Sequence, residues 1–211
     1  MSRRTYPQRT EESEPVKTAL YVIAFLVVSG CAVSRLDPLS VPLTYKPDPK
    51  NSGLPGGLTC NAISQLQASD ARVEKTLGIR AHESKPLKAD VTAAGDPTAW
   101  VHDGVQGFLA ENGVRFQGSG PTLLVSLDSL HTVESVWHRA GYDARIALTG
   151  QLQSPGGKTC WKETVAGTSG NYGYAGSVQD YQETLNGALD AASMHLAESQ
   201  GFKAALCHCA D

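Results

Sequence analysis

The 211-residue chain lacks the sequence signatures that usually identify a reaction. It contains no Gly-x-Ser-x-Gly turn of a serine hydrolase. Gly167-Thr168-Ser169-Gly170 lacks the lysine and the following helix that a phosphate-binding loop needs. Charged residues make up only 18% of the chain and form no basic stripe of the kind that binds nucleic acid. These absences argue against nucleotide-binding enzymes, common hydrolases and nucleic-acid-binding proteins.

The chain also lacks a hydrophobic run long enough for a permanent membrane span, which takes roughly 20 residues. Its apolar run, Ala19–Val28, is much shorter and follows a basic N-terminal segment. Two small residues and Cys31 come directly after it. This order is typical of an export signal, and Val28-Ser29-Gly30-Cys31 resembles the lipobox of bacterial lipoproteins.

The lipobox resemblance implies that residues 1–30 are removed and that Cys31 becomes the acylated first residue. Its acyl chains would hold the protein on the cell membrane or the outer membrane, with the domain facing the periplasm. Ala32 follows the cysteine, as in lipoproteins sorted to the outer membrane, which favours that membrane in a host with two membranes. The alternative is an uncleaved signal anchor, with Cys31 in the lipid.

Cysteine is scarce, and apart from Cys31 four remain: Cys60, Cys160, Cys207 and Cys209. In an oxidising compartment they predict up to two disulfides. Cys207 and Cys209 are too close to favour a bond with each other. Cys60 and Cys160 therefore pair either with each other or each with one tail cysteine. Metal binding at the Cys-His-Cys tail is disfavoured, because zinc motifs place more residues between cysteines, and we predict neither a metal nor a cofactor.

The mature chain divides into a tether and one domain. Residues 31–57 contain five prolines among polar residues, which is typical of an extended spacer of about 3.1 Å per residue. Part of it, from Val41 to Tyr45, could instead add an edge strand. Residues 58–211 are of the size of a single domain.

The hydrophobic pattern of the domain alternates between strand and helix periods. Asp96 and Pro97 open a helix that runs to Asn112, and Ser177 opens a second one over Val178–Ser199. Alternation predicts a long hairpin over Leu123–Leu152 and a further strand over Thr159–Ala166, followed by a Gly-rich loop over Gly167–Gly176. An early strand, Leu58–Ile63, and short strands within Val73–Ile79 and Leu87–Val91 complete the set.

The element order β-α-β-β-β-α predicts an α+β two-layer sandwich, an antiparallel sheet with two helices on one face. The order, together with Asp70-Ala71-Arg72 after the early strand, resembles the YajG-type envelope lipoproteins. That family shares a lipobox, a short linker, a long hairpin and a final helix. The resemblance implies the fold and an envelope location, and it implies no catalytic activity because none is established for the family.

We therefore expect a non-enzymatic binding or assembly lipoprotein. It would contact the membrane through Cys31 and an envelope protein or further copies of itself, and no nucleic acid. The hairpin end carries His131, Glu134, Trp137 and His138, and Tyr172 and Tyr174 lie in the Gly-rich segment. These aromatic residues either form a binding surface or pack on the sheet.

Two other functions remain open. One is a lipid- or glycan-binding auxiliary component of an envelope transport system, with a pocket between sheet and helices. The other, more remote, is an envelope hydrolase that uses Ser126, Asp128 and His131, which lie close together in the sequence. A catalytic triad requires a contact between nucleophile and base and an oxyanion hole.

Overall fold

The computed structural model describes residues 35–47, 58, 60, 62–118, 120–137 and 139–209. Cys31, the predicted lipidation site, and His138 lie outside these residues. The chain divides into Met1–Arg35 and Leu36–Asp211, and all elements below belong to the second unit. Among the described residues, no helix is both long and apolar enough to cross a membrane.

The described part of the chain contains nine strands and three helices. The strands are β1 (Leu39–Pro42), β2 (Ala62–Ile63), β3 (Gln65–Asp70), β4 (Gly78–His82), β5 (Lys88–Ala94), β6 (Arg115–Phe116), β7 (Thr122–Val136), β8 (Ala140–Gln153) and β9 (Thr159–Gly173). The helices are α1 (Pro97–Glu111), α2 (Val178–Glu198) and α3 (Gln200–His208).

The main sheet is built around the long strand β7. On one side β7 pairs antiparallel with β8, which pairs antiparallel with β9. On its other side β7 pairs parallel with two strands in succession, β3 along its first half and β4 along its second half. Beyond β4 follow β5, antiparallel, and β1, parallel to β5. Strands β2 and β6 form a separate parallel pair.

The helices cover one face of this sheet. Alternate residues of β7 and β8, such as Leu123, Val125 and Ile146, are buried beneath them, while the intervening residues form an open face. The predicted α+β sandwich and both predicted helices are therefore confirmed. Asp96 caps α1 through the Thr98 amide, and Ser177 caps α2 through the Asp180 amide.

Two features differ from the predicted antiparallel sheet with two helices. The sheet is mixed, because β1, β3 and β4 each make a parallel pair. A third helix, α3, follows α2 almost at once. Ser199 caps it by accepting a hydrogen bond from the Phe202 amide, and Phe202 is fully buried against Trp161. Gly201 lies within its first turn.

Most of the segment predicted as a loop, Gly167–Gly176, is strand instead, because Gly167–Gly173 forms the second half of β9 and only residues 174–176 are a loop. Its glycines serve close packing, since a Cβ at Gly167 would lie 2.0 Å from the Ala188 carbonyl oxygen of α2. A Cβ at Gly173 would lie 1.9 Å from an Asp180 carboxylate oxygen. Glycine here allows a helix to lie directly on an edge strand.

Part of the segment predicted as tether belongs to the sheet. Residues Leu39–Pro42 form β1. This agrees with the alternative prediction of an edge strand near Val41. The chain then crosses to α2, where Gln182 donates to the Pro42 carbonyl and Asn186 to the Thr44 carbonyl. Tyr45 donates to the buried Asp190 at 2.7 Å. The domain thus begins well before residue 58.

The early strands also differ from their predicted bounds. The predicted strand Leu58–Ile63 is reduced to the two-residue β2, and the longer β3 follows it. Val73 is fully exposed, and β4 starts only at Gly78. The run Leu87–Val91 matches β5 more closely.

Asp70 and Arg72 form a clamp where β3 ends. The Arg72 guanidinium donates from Nε and Nη2 to both Asp70 carboxylate oxygens, at 2.9 and 3.0 Å. The Arg72 backbone amide donates to Asp70 as well, and Lys75 lies 3.2 Å from the carboxylate. The hydrogen bond from the Arg72 side chain is the main reason that the pKa of Asp70 falls to about 2. The Asp-x-Arg sequence therefore fixes a corner of the fold.

Both disulfides of the domain end on helix α3. Cys60 is bonded to Cys207 and Cys160 to Cys209, across 147 and 49 residues of sequence. Of the pairings left open by the sequence, the structure has the one that gives each tail cysteine its own partner. Cross-links over such long loops typically stabilise a fold by about 2–5 kcal/mol.

We expect Asp70→Asn to lower the free energy of unfolding at neutral pH, with a smaller effect in acid. The folded pKa of about 2 lies below the unfolded value of about 3.9. The ionised carboxylate therefore stabilises the fold above pH about 4, and this contribution is lost as the pH falls towards 2. Urea unfolding between neutral pH and pH about 2 measures it, with the exposed Asp90→Asn as the control. A difference between Asp70→Asn and wild type that does not change with pH would contradict the clamp.

We expect a non-reduced tryptic digest to contain the tail peptide, with Cys207 and Cys209, linked to both the Cys60 and the Cys160 peptides. In Cys207→Ala the Cys160 peptide should stay on the tail and the Cys60 peptide should be released with a free thiol. Mass spectrometry reads both results. A Cys60 peptide linked directly to the Cys160 peptide would show that the pairing is wrong.

Candidate functional site

The three residues considered for hydrolysis do not form a catalytic triad. Ser126 donates its hydroxyl hydrogen to Asp128 at 2.8 Å, and Thr149 donates to the other oxygen of the same carboxylate. The serine proton is therefore directed to an aspartate and not to the histidine that a Ser-His-Asp triad requires. The described hydrogen bonds include none from His131 to either residue. Asp128 lies at the bulge of β7 and bonds β7 to β8.

The most exposed aromatic residues of the domain lie together at one end of the sheet. Trp137 and Arg139 flank the turn between β7 and β8, Tyr172 lies near the end of β9, and Tyr174 follows that strand. The exposed fractions are 51% for Trp137, 80% for Tyr172 and 88% for Tyr174. These four residues are here called the aromatic end surface. The two tyrosine side chains are therefore displayed to solvent, whereas the Trp137 ring is half-exposed and lies edge-on to His82 of β4.

Two grooves meet at this surface. The end groove, of about 460 Å³, lies between the β7–β8 turn and the loop after β9, where Tyr174 and Ala175 line it. The face groove, of about 650 Å³, opens on the uncovered face of the sheet, where Glu83, Ser135 and Asp143 line it. Trp137, Arg139 and Tyr172 line both grooves and separate them.

Two residues expected at the exposed hairpin end lie elsewhere. Glu134 is completely buried, because it shares the inward face of β7 with Leu130, Thr132 and Val136. His131 is exposed but lies along the strand, opposite Arg145 of β8. Of the hairpin residues named from the sequence and described by the structure, only Trp137 belongs to the aromatic end surface.

Glu134 is the centre of a buried polar network beneath this surface. Its carboxylate accepts hydrogen bonds from Arg80 Nε at 2.5 Å, from the Tyr181 hydroxyl at 2.8 Å and from the Gly176 amide at 2.7 Å. Burial alone would lower the pKa of Arg80, but the hydrogen bond and the charge of Glu134 outweigh it and raise that pKa. The Arg80 guanidinium therefore keeps its positive charge at neutral pH.

Tyr142 extends the network into the loop that carries Tyr174. Its hydroxyl donates to the Tyr174 carbonyl oxygen and accepts from the Ser177 amide. Burial raises the pKa of Tyr142 to about 12, and burial together with Glu134 also raises the pKa of Tyr181. Both phenols thus keep the proton that their hydrogen bonds require. The loop is held from below by Glu134 at Gly176 and by Tyr142 at Tyr174.

Local sequence patterns contain little indication of this network. No local pattern marks Arg80, Tyr142 or Tyr181 as part of a polar network. The one available signal was the position of Glu134, a carboxylate in the inward register of an alternating strand. Such a residue needs buried partners, and no buried side-chain nitrogen or oxygen within the described residues lacks one.

The described residues contain no cluster of three or more side chains suited to hold a metal. Cys207 and Cys209 are both disulfide-bonded, so neither is a thiolate that could bind zinc.

No family model matches this sequence, and no curated protein matches it. Solved structures show a weak likeness in fold. A Xanthomonas campestris protein of the family DUF330 is 12% identical, with a TM-score of 0.49 over 82% of this chain and 99% of its own. A minor lipoprotein from Acinetobacter baumannii is 9% identical, with a TM-score of 0.39 over 65% and 92%.

A proposed lipoprotein from Caulobacter crescentus is 12% identical, with a TM-score of 0.33 over 63% of this chain and 88% of its own. None of the three descriptions names an enzyme. The TM-scores and identities are too low for these likenesses to support a conclusion about function.

We expect Arg80→Met to destabilise the domain by about 3–5 kcal/mol, because it leaves the Glu134 carboxylate buried without its counter-charge. Arg145→Met, on the open face of the same sheet, should change the free energy of unfolding by less than about 0.5 kcal/mol. Urea unfolding compares the two. Adding Glu134→Gln to Arg80→Met should cost less than the sum of the single changes, because the two residues interact. Equal effects of Arg80→Met and Arg145→Met would contradict a stabilising ion pair.

Proposed function

We propose that the protein is a lipid-anchored lipoprotein of the bacterial envelope that acts as a non-enzymatic binding or assembly component. Cys31 carries its acyl chains and the domain faces the periplasm, from the outer membrane in a host with two membranes. Its partner is an envelope protein or further copies of the same chain. The aromatic end surface is the contact surface.

The observation that carries this proposal is the composition and exposure of the aromatic end surface. Tryptophan, tyrosine and arginine are the residues most enriched at the energetic centres of protein interfaces. Trp137, Arg139 and Tyr172 occur together where two grooves meet, and the two tyrosines are largely exposed. A monomeric domain gains nothing in stability from exposing large aromatic rings, so such a cluster indicates a contact with another molecule.

The envelope location is supported by the lipobox-like segment before Cys31 and by the two disulfides. Disulfides persist in the periplasm and outside the cell, and they are rare in the cytosol. The resemblance to YajG-type lipoproteins points to the same compartment.

A non-enzymatic role is supported by the arrangement of the polar groups. The Ser126 hydroxyl is bonded to a carboxylate, and the carboxylate of Glu134 is enclosed by three donors. Neither group lines the end groove or the face groove. The polar clusters of the described domain therefore support structure.

The face groove favours one alternative, a lipid- or glycan-binding auxiliary component of an envelope transport system. Here the Trp137 and Tyr172 rings lie beside Glu83, Asp143 and Arg139. Aromatic faces flanked by a few hydrogen-bonding groups suit a sugar ring, which is apolar on its face and polar at its edge.

The proposal is tested with a photoreactive phenylalanine derivative at position 172 in intact cells. We expect one discrete adduct of higher mass, because Tyr172 lines both grooves. The control is the same amino acid at Lys162, which is exposed on the same face of β9, about 33 Å away. A protein adduct supports the main proposal, and a lipid or glycan adduct supports the alternative. Only monomer at position 172, as at position 162, would refute a contact role for the aromatic end surface.

A further inference from the structure

We propose that the tip of the aromatic end surface, formed by Trp137, Arg139 and Tyr174, lies in the headgroup region of the membrane that holds Cys31. The occupant of the end groove is thus the bilayer surface, while the face groove remains open to a partner in the periplasm. This inference rests on the proposed function, because it takes Cys31 as acylated.

The first step identifies the residue at which the domain holds the segment that leads from Cys31. Arg80 donates from Nη1 to the Asp37 carbonyl oxygen at 2.9 Å, and β1 begins two residues later. Asp37 lies six positions after Cys31 in the chain. A fully extended chain of that length spans at most about 22 Å. Acyl chains on Cys31 would therefore keep the Asp37 end of the domain within about 22 Å of the membrane surface.

The second step is that this fixed point lies at the aromatic end of the sheet. The Arg80 side chain that holds Asp37 also donates a hydrogen bond to the Glu134 carboxylate. This carboxylate accepts a second hydrogen bond from the Gly176 amide. A Cβ at Gly176 would lie 2.9 Å from an Arg80 guanidinium nitrogen, so the loop that carries Tyr174 packs directly on this arginine. The strand directions agree, because β4 ends at His82 opposite Val136, immediately before Trp137.

The third step compares the reach of the chain with the size of the sheet. Strand β9 has 15 residues and spans about 50 Å. Its far end, with Cys160 and Trp161, lies beyond the reach of the segment between Cys31 and Asp37. The aromatic end of the sheet can therefore contact the membrane when the strands stand upright on it. The opposite end can contact the membrane only if the strands lie parallel to the membrane plane.

The fourth step is the chemistry of the tip. Tryptophan and tyrosine concentrate at membrane–water interfaces, where the ring contacts the acyl boundary and the polar edge remains hydrated. An arginine beside them reaches lipid phosphates while its stem packs on apolar groups. Glu83 and Asp143, which would be repelled by anionic headgroups, line only the face groove. The division of charge between the two grooves therefore suits anionic headgroups at the end groove, and the exposed aromatic rings there suit the membrane interface.

The experiment uses the full-length acylated protein in vesicles of phosphatidylcholine and phosphatidylglycerol, with bromine near the headgroup end of the phosphatidylcholine chains. Bromine quenches only tryptophans that lie close to it. The chain has three tryptophans, and Trp137→Phe isolates the contribution of the tip. Two reporters in that background, Tyr174→Trp and Lys162→Trp, place one tryptophan at the tip and one near the far end of β9.

We expect bromine-dependent quenching in the wild type, its loss in Trp137→Phe, and its return in the variant with Tyr174→Trp but not in that with Lys162→Trp. Mass spectrometry of the Cys31 peptide establishes the acylation. A peptide without acyl chains would overturn the proposed function and this inference together. An acylated protein with no quenching at positions 137 and 174, or with equal quenching at position 162, would overturn the end-on membrane contact alone. In cells, a protein adduct without a lipid adduct from a photoreactive residue at position 174 would also overturn it.

Discussion

The structure depends most on the contact between Arg80 and Glu134. A buried carboxylate is costly unless it is paired and fully hydrogen-bonded, and Glu134 meets this requirement only when three other parts of the chain are in place. Arg80 comes from β4, Tyr181 from α2 and the Gly176 amide from the loop after β9, while Arg80 also holds Asp37 before β1. One ion pair thus fixes how the N-terminal segment, the sheet and the second helix meet.

This contact also explains why the exposed aromatic residues are presented in a defined way. Tyr174 follows an edge strand, a position where loops usually have several conformations. Here the loop is bonded from below at Tyr174 by Tyr142 and at Gly176 by Glu134. A surface that is ordered before it binds loses less conformational entropy on contact with a partner or a membrane. The same network places Asp37, where the chain enters β1, beside that surface.

Local patterns in the sequence predicted the elements whose causes are local. Helices α1 and α2 were found because Asp96 and Ser177 are capping residues followed by a helical hydrophobic period. The β7–β8 hairpin was found because its burial alternates residue by residue. Cys207 and Cys209 are too close to favour a bond with each other. The sequence therefore leaves two arrangements, in which Cys60 and Cys160 pair with each other or each pairs with one tail cysteine.

The features that the sequence did not predict depend on contacts between residues that are far apart in the sequence. The parallel pairs of β1, β3 and β4 carry no local signal. The glycines of β9 are typical of a loop when only their neighbours in the sequence are considered. Gly167 instead allows the close approach of α2, whose Ala188 lies some twenty residues further along the chain. Glu134 was placed at an exposed tip because a charged residue near a hairpin end is usually solvated. Its burial depends on Arg80 and Tyr181, which lie far from it in the sequence and form hydrogen bonds to its carboxylate.

The most direct test of this account is amide hydrogen exchange at Gly176 in the full-length protein. A loop amide that donates to a buried carboxylate should exchange only when the network opens, so Gly176 should be protected although the adjacent Ala175 is exposed. Arg80→Met should remove this protection while the amides in the middle of β8 remain protected. Exchange at Gly176 as fast as at Ala175 in the wild type would contradict the claim that the Arg80–Glu134 pair orders the aromatic end of the domain.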